Sequence, residues 1–400
     1  MTSPLAPLLE GEGDMEEPMK IVNRLADQFS DVKPLPEGTH HMQATLEDDK
    51  PYRLHLRLRK DGSGMLVVNA STILHLNPTA AEYAYHFVKG TPDDEAAREI
   101  SKRYRISKGI ALEDFQDFAG RIRALIETPD LDPVSFLNFE RVAPHSGDLT
   151  APVRLDCALT YRLSPETDAE YAPVKRVERE LNTEEWSQIL DIAWREGVPH
   201  ITFTGGEPTL REDLPDLIAH AEKNGQVCGL LSDGLKLADK SYLRTLLNTG
   251  LDHLLFLLQP DNDASWQALE SIVPEDLFTT VHITVNEQTL AKMDETLQKL
   301  ADLEVTSLSL GLADLAFHDS MDEVRDKAAN LGLQLAFDLP VPYSADNPVA
   351  LETAQDDVPA GAGKSWLYVE PDGDVLPAQG MAGQVLGNLL RDPWAKIYRQ

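Results

Sequence analysis

The chain has 400 residues, 42% hydrophobic and 26% charged, and 67 acidic against 36 basic side chains give a formal net charge of −31. That length exceeds one ordinary domain, and the composition can bury a substantial core. So acidic a field excludes tight binding to nucleic acid or to an anionic membrane, both of which need clustered Lys and Arg; solubility or a basic partner suits it. No apolar run reaches the ~20 residues of a membrane helix. The opening "MTSPLAPLLEGEGDMEEPMK" lacks the basic and apolar regions of a secretory signal, so a cytoplasmic location is expected. Two cysteines, Cys157 and Cys228, can build neither a disulfide framework nor a site of three or four thiolates.

Residues 1–45 are expected to be a flexible, acidic N-terminus rich in Pro and Gly. His40 and His41 fall in that loop, and neighbours on an extended chain point apart, which favours surface histidines over metal ligands. Residues 46–130 read as one domain. "YRLHLRLRK" alternates like a strand and "DGSG" turns it into "MLVVNA", a β-hairpin. Three helical patterns follow, "TAAEYAYHFVKG", "PDDEAAREISKRYR" and "LEDFQDFAGRIRALIE", which together suggest a winged helix. Residues 131–152 have prolines and no period, and read as a linker.

Residues 153–345 alternate strands with helices. The strands are "VRLDCALTY", "HITFT", "QVCGLLSDG", "HLLFLLQ", "TSLSLGLA" and "LQLAFDLP". The first helix, "NTEEWSQILDIAWREG", has Asn182 and Glu185 at capping-box spacing and ends at Gly197. Six βα units predict a parallel sheet curled into a partial barrel, with functional loops at the C-terminal ends of its strands. Residues 346–400 hold a hairpin, "WLYVE" and "VLP" about "PDGD". "GAGKS" lacks the full phosphate-loop pattern and precedes a strand, so nucleotide binding is not inferred from it.

"TGGEP", Thr204 to Pro208, lies between a strand and a helix. Two glycines let the backbone turn sharply and approach a ligand, and Glu207 places a carboxylate where it can accept bonds from an ammonium group. The surrounding "ELNTEEWSQILDIAWREGVPHITFTGGEPTLREDLPDLI" and "LLSDGLKLADKSYLRTLLNTGLDHLLFLL" resemble the radical S-adenosylmethionine (SAM) superfamily, over about residues 153–340. The resemblance implies a partial (β/α)6 barrel, with SAM held by Gly205, Gly206 and Glu207 and by the turn at Ser232 and Asp233. It also implies a [4Fe–4S] cluster on three cysteines after the first strand. Aligned through Thr160-Tyr161-Arg162, those positions hold Leu163, Thr167 and Glu170. None offers a thiolate, so no cluster is expected. Leu258 stands where the family often has a SAM-facing Ser, which disfavours SAM without closing the question. The favoured reading of Gly205-Gly206-Glu207 is a retained turn whose Glu satisfies local N–H groups. A hard-cation site at Asp168, Glu170 and Glu207 is a weaker idea, since 67 acids make chance neighbours common.

"ILHLNPTAAEYAYHFVKGTPDDEAAREISKRYRI" resembles the PqqD-like family, recognition elements for ribosomally made, modified peptides. This implies a leader peptide adding as a strand to the hairpin edge beside the third helix. The implied contacts are "GMLVVNA" with Phe115, Phe118 and Arg121, while a core role for both Phe is the stronger alternative. "GKSWLYVEPDGDVLPAQGMAGQVLGNLLRDPWAKIYRQ" resembles the SPASM or twitch extensions of peptide-modifying radical SAM enzymes, with Ala378 at the cysteine position. The expectation is a radical-SAM-like protein without cluster ligands, acting as a non-catalytic scaffold or recognition subunit in peptide modification or cofactor maturation. Its partner would be a peptide or an active radical SAM enzyme. The alternative is an enzyme that keeps SAM, or another small ligand, at the Glu207 loop for non-radical chemistry.

Overall fold

The computed structural model describes residues 32–46, 51–69, 72–128, 149–163, 171–337, 339–344, 346–347 and 360–398. The expectations for Thr167, Asp168, Glu170 and most of the 131–152 linker lie outside the described residues.

The N-terminal unit is an antiparallel sheet with three helices. Strands β1 (Gly38–Thr45), β2 (Pro51–Leu58), β3 (Gly64–Val68) and β4 (Thr72–Leu76) lie in that order across the sheet. Helices α1 (Pro78–Val88), α2 (Asp93–Tyr104) and α3 (Lys108–Glu127) follow. Asn77 caps α1 by accepting from the Ala80 N–H, with Pro78 as the first helical residue, a start that leaves no donor wasted. Leu54, Leu56, Leu58, Leu66 and Leu74 turn toward the helices and form the core with Phe115 and Phe118.

Two expectations change here, and the core role favoured for Phe115 and Phe118 is the one found. The described part of the N-terminal segment contains β1, because it pairs along its full length with β2. The strand "GMLVV" is interior, paired to β2 on one side and β4 on the other, so it presents no open edge. Phe115 and Phe118 are core residues, and Arg121 pairs with Asp117 at 2.9 Å on the surface.

The second unit carries a sheet of ten strands in the order β11-β10-β9-β8-β7-β6-β5-β12-β13-β14. Its parallel strands are β5 (Arg154–Thr160), β6 (His200–Gly205), β7 (Val227–Ser232), β8 (His253–Leu257), β9 (Phe278–Val285), β10 (Ser307–Leu312) and β11 (Gln334–Ala336). The connecting helices are α4 (Thr183–Arg195), α5 (Leu214–Asn224), α6 (Lys240–Asn248), α7 (Asp263–Ile272), the short α8 (Glu287–Ala291) with α9 (Met293–Asp302), and α10 (His318–Asn330). The sequence pattern missed α7 and β9; with them the sheet has seven parallel strands joined by six helical crossovers, so the six βα units stand and β11 closes the series. β12 (Trp366–Val369) then pairs parallel to β5, and β13 (Asp374–Leu376) and β14 (Gly387–Asn388) turn back antiparallel. The boundary expected at residue 345 is therefore no break in the sheet. A last helical turn, α11 (Trp394–Ile397), packs on β14.

Strand side chains alternate about this curved sheet. Leu155, Cys157, Ile201, Phe203, Cys228, Leu230, Val281 and Ile283 face the helices, in one core with Trp186, Ile189 and Leu217. The two units dock at the N-terminal ends of the barrel strands. Arg57, fully buried, donates to the carbonyls of Ala151 (2.5 Å), Pro152 (2.7 Å) and Gly197. Arg53 pairs with Asp252 at 3.0 Å and with Glu222. His41, expected on the surface, instead stacks on Trp194 with ring centroids 3.6 Å apart and hydrogen-bonds His55 at 2.9 Å. Among the described residues no helix is long and apolar enough to cross a membrane.

Candidate functional site

At the C-terminal ends of β5, β6 and β7 the structure brings together Gly205, Gly206, Glu207, Ser232 and Asp233. The two glycines are demanded by close approach. Gly205 has φ +117°, and a Cβ on it would sit 2.3 Å from the Thr160 carbonyl oxygen; one on Gly206 would sit 2.3 Å from that of Arg162. The same carbonyls accept from Gly206 N–H and Glu207 N–H, each at 2.8 Å. Arg211, in the turn after Pro208, adds bonds to the carbonyls of Leu159 (3.2 Å) and Leu181 (2.9 Å). The motif thus clamps the second-strand loop onto the first.

Glu207 is 4% exposed and its carboxylate is fully engaged. Oε1 accepts from the Thr209 N–H (2.9 Å), the Thr209 hydroxyl (2.6 Å) and the Ser232 hydroxyl (2.9 Å). Oε2 accepts from the Asp233 N–H at 2.8 Å. Burial, and then the Asp233 carboxylate beside it, push Glu207 up to about 8 against those donors. These bonds tie the Glu207–Thr209 turn to the Ser232–Asp233 turn after β7.

The first-strand loop leads elsewhere. Leu163 packs onto an apolar cluster of Ala158, Tyr161, Ala172, Tyr343, Tyr368 and Leu376. Tyr161 and Tyr343 meet edge to face at 5.6 Å. The Tyr161 hydroxyl donates to Glu370 at 2.9 Å, and Arg176 binds both oxygens of that buried carboxylate at 2.6 and 2.8 Å. Burial and the Glu370 charge raise the Tyr161 phenol far above its ordinary range. Sequence reasoning missed this network. Its one legible sign is the alternation of "WLYVE", which puts Tyr368 and Glu370 on the face opposite Leu367 and Val369.

The chain's two thiols, Cys157 and Cys228, are fully buried on the helix-facing side of the sheet, where burial raises both well above the ordinary thiol range. Leu163 sits in an apolar contact, and Ala378 is buried after β13. Leu258 also differs from expectation: its side chain belongs to the helix-facing core and its N–H donates to His282 at 3.0 Å. Among the described residues no group of three or more His, Cys, Asp or Glu is placed to hold a metal ion.

Residues 157–264 match the sequence profile of the Radical SAM superfamily. A PqqA peptide cyclase of Streptomyces rochei is 27% identical over 286 residues, covering 62% of this chain and 76% of that protein. A PqqA peptide cyclase of Granulibacter bethesdensis is 38% identical over 86 residues, covering 22% of this chain and 23% of that protein. The crystal structure of Streptococcus suis SuiB bound to precursor peptide SuiA superposes with a TM-score of 0.56 at 14% identity, over 90% of this chain and 89% of that one. The likeness to SuiB is one of fold: a partial barrel of the radical SAM type.

Proposed function

Taking as premise a chain that carries a radical SAM domain over residues 157–264, we propose that it acts in peptide modification as a recognition or scaffold subunit and loads no iron–sulfur cluster of its own. The observation that carries this reading is the chemistry of the barrel mouth. Leu163 stands in an apolar contact where a thiolate is required, and the chain's two thiols face the other side of the sheet. A soft-metal cube needs three or four thiolates, and without it no electron reaches a SAM sulfonium. The peptide half of the reading rests on the relatives named for acting on or binding peptides. In the N-terminal, PqqD-like unit the strand suited to an extended leader is β4, one of the sheet's two outer strands, where Ile73 is 39% exposed.

Anaerobic reconstitution with iron and sulfide tests the first half. The expected product holds almost no iron, and about four iron atoms per chain would refute it. Calorimetric titration with SAM separates the alternative, an enzyme using SAM at Gly205, Gly206, Glu207, Ser232 and Asp233 for non-radical chemistry. Because Glu207 is buried and already accepts four hydrogen bonds from the chain's own groups, no binding heat is expected. Recovery of a short precursor peptide or a paralogous enzyme from the native host, lost in Ile73→Asp, tests the second half.

A further inference from the structure

β11 ends the ten-stranded sheet, and its outer side is unpaired among the described residues. Gln334 N–H donates inward to the Thr306 carbonyl at 2.9 Å, so alternation turns the N–H and C=O of Leu335 outward. Large apolar side chains lie near this edge: Phe337, directly after β11, is 60% exposed, and Leu315, in the turn three residues beyond β10, is 82% exposed. One face of the Phe337 ring is lined by the Arg325 guanidinium, 5.6 Å from its centroid. The crossover into β11 is acidic. Asp314, Asp319, Asp322, Glu323 and Asp326 are exposed on it, while its two cations, Arg325 and Lys327, are bound to Asp322 and Asp294.

We propose that this edge takes an extended peptide segment in which apolar side chains alternate with Lys or Arg, adding as a strand beside β11. The open backbone groups supply pairing, Phe337 and Leu315 supply apolar contact on alternate residues, and the carboxylates select the positive charge. Charge complementarity decides the occupant. A second copy would bring the same carboxylates against themselves, within a chain already at −31. The site is separate from β4: it lies on the barrel unit, and the variants that test each edge differ.

The probe is a fluorescent peptide of about twelve residues alternating Lys and Val, long enough to cover a strand and its flanks, read by anisotropy on the full chain. Two partners serve as controls: the same peptide with Glu for Lys, and one N-methylated at alternate amides. The expected result is binding by Lys–Val that weakens about tenfold or more with Glu for Lys, with N-methylation, and in the double variant Leu315→Ser, Phe337→Ser; tenfold is about 1.4 kcal/mol. Val385→Asp, at an exposed position outside both edges, should leave it unchanged. Both substituted barrel positions are solvent-facing, so the variants fold. Absence of binding, equal binding of the N-methylated probe, or indifference to the double variant would overturn the proposal. So would a concentration-dependent dimer that the double variant abolishes, since a second copy would then own the edge.

Discussion

The Tyr161 hydroxyl donates to Glu370 Oε1 at 2.9 Å, tying the loop after the first barrel strand to the C-terminal hairpin across 209 residues of sequence. Arg176 completes the contact from the same loop region, and the carboxylate between them is 2% exposed. With Leu163, Tyr343 and Tyr368 packed around Tyr161, this is where the mouth of the barrel is closed by side chains. Glu370→Gln keeps the shape and removes the charge that both partners address. It should lower stability by about 1–3 kcal/mol, because a charge-assisted buried bond is lost and Arg176, itself partly exposed, recovers some solvation. Tyr161→Phe should cost about 1 kcal/mol, since Arg176 still satisfies the carboxylate. Urea denaturation followed by far-ultraviolet dichroism reads both, and the reverse order would contradict the network.

The glycines of the "TGGEP" turn predict a sharper outcome. A methyl at Gly206 would lie 2.3 Å from a backbone oxygen of the neighbouring loop, an atom that cannot swing aside. Gly206→Ala must therefore push the two loops apart and break the Gly206 and Glu207 N–H bonds, costing about 1–3 kcal/mol or more. The loss should appear in the melting curve without any ligand. A Gly206→Ala chain as stable as the parent would mean the clamp is not needed.

What was legible in the sequence follows from how local each interaction is. The Asn182–Glu185 capping box and the "TGGEP" turn are set by neighbours within a few residues, and the structure carries both. β9 went unread because "TTVHITV" mixes two faces. Val281 and Ile283 pack under the helices, while Thr280 and His282 bond Ser307 and Ser309 of the next strand, which blurs apolar alternation. β1 has no apolar stripe of its own. His41 and Gln43 are placed by Trp194 and Glu222, about 150 or more residues away, and no local period encodes that. Of the candidate site, the residues around Glu207 were found by motif. The tyrosine cluster was not, since Tyr161, Tyr343 and Tyr368 meet only in three dimensions.

Arg57 predicts that the two units fold as one. Its guanidinium satisfies three backbone carbonyls at the barrel's N-terminal end, and burial lowers its pKa to about 10 while it remains charged near neutrality. Arg57→Met fills similar volume but leaves those carbonyls without a donor, each costing about 1–3 kcal/mol where water cannot enter. The expected result is a loss of about 3 kcal/mol or more, with Trp194 fluorescence changing as the His41 stack loosens. Limited proteolysis should then cut between the units. A variant that keeps a single cooperative transition at the parent midpoint would argue against the docking.

Glu207 gives a dependence on pH whose sign follows from its environment. Its folded carboxyl titrates near 8 against an ordinary 4.5, because burial and Asp233 disfavour the charge. Between those values the folded chain keeps a proton that the unfolded chain has released. Stability from this group is therefore present below about pH 4.5 and drains away as pH rises through 8. His41 runs the other way: burial, then Arg57, lower it from 6.5 to about 4, so its share of stability falls as pH drops through that window. The two slopes offset one another between about pH 4.5 and 6.5, so the optimum lies in that window and stability declines above it. Glu207→Gln removes only the alkaline slope. Urea midpoints at about pH 5, 7 and 9 should fall for the parent on the alkaline side and stay level there for the variant. A parent that gains stability toward pH 9 would show that the four donors around Glu207 outweigh its burial, and that the carboxylate is held as an anion.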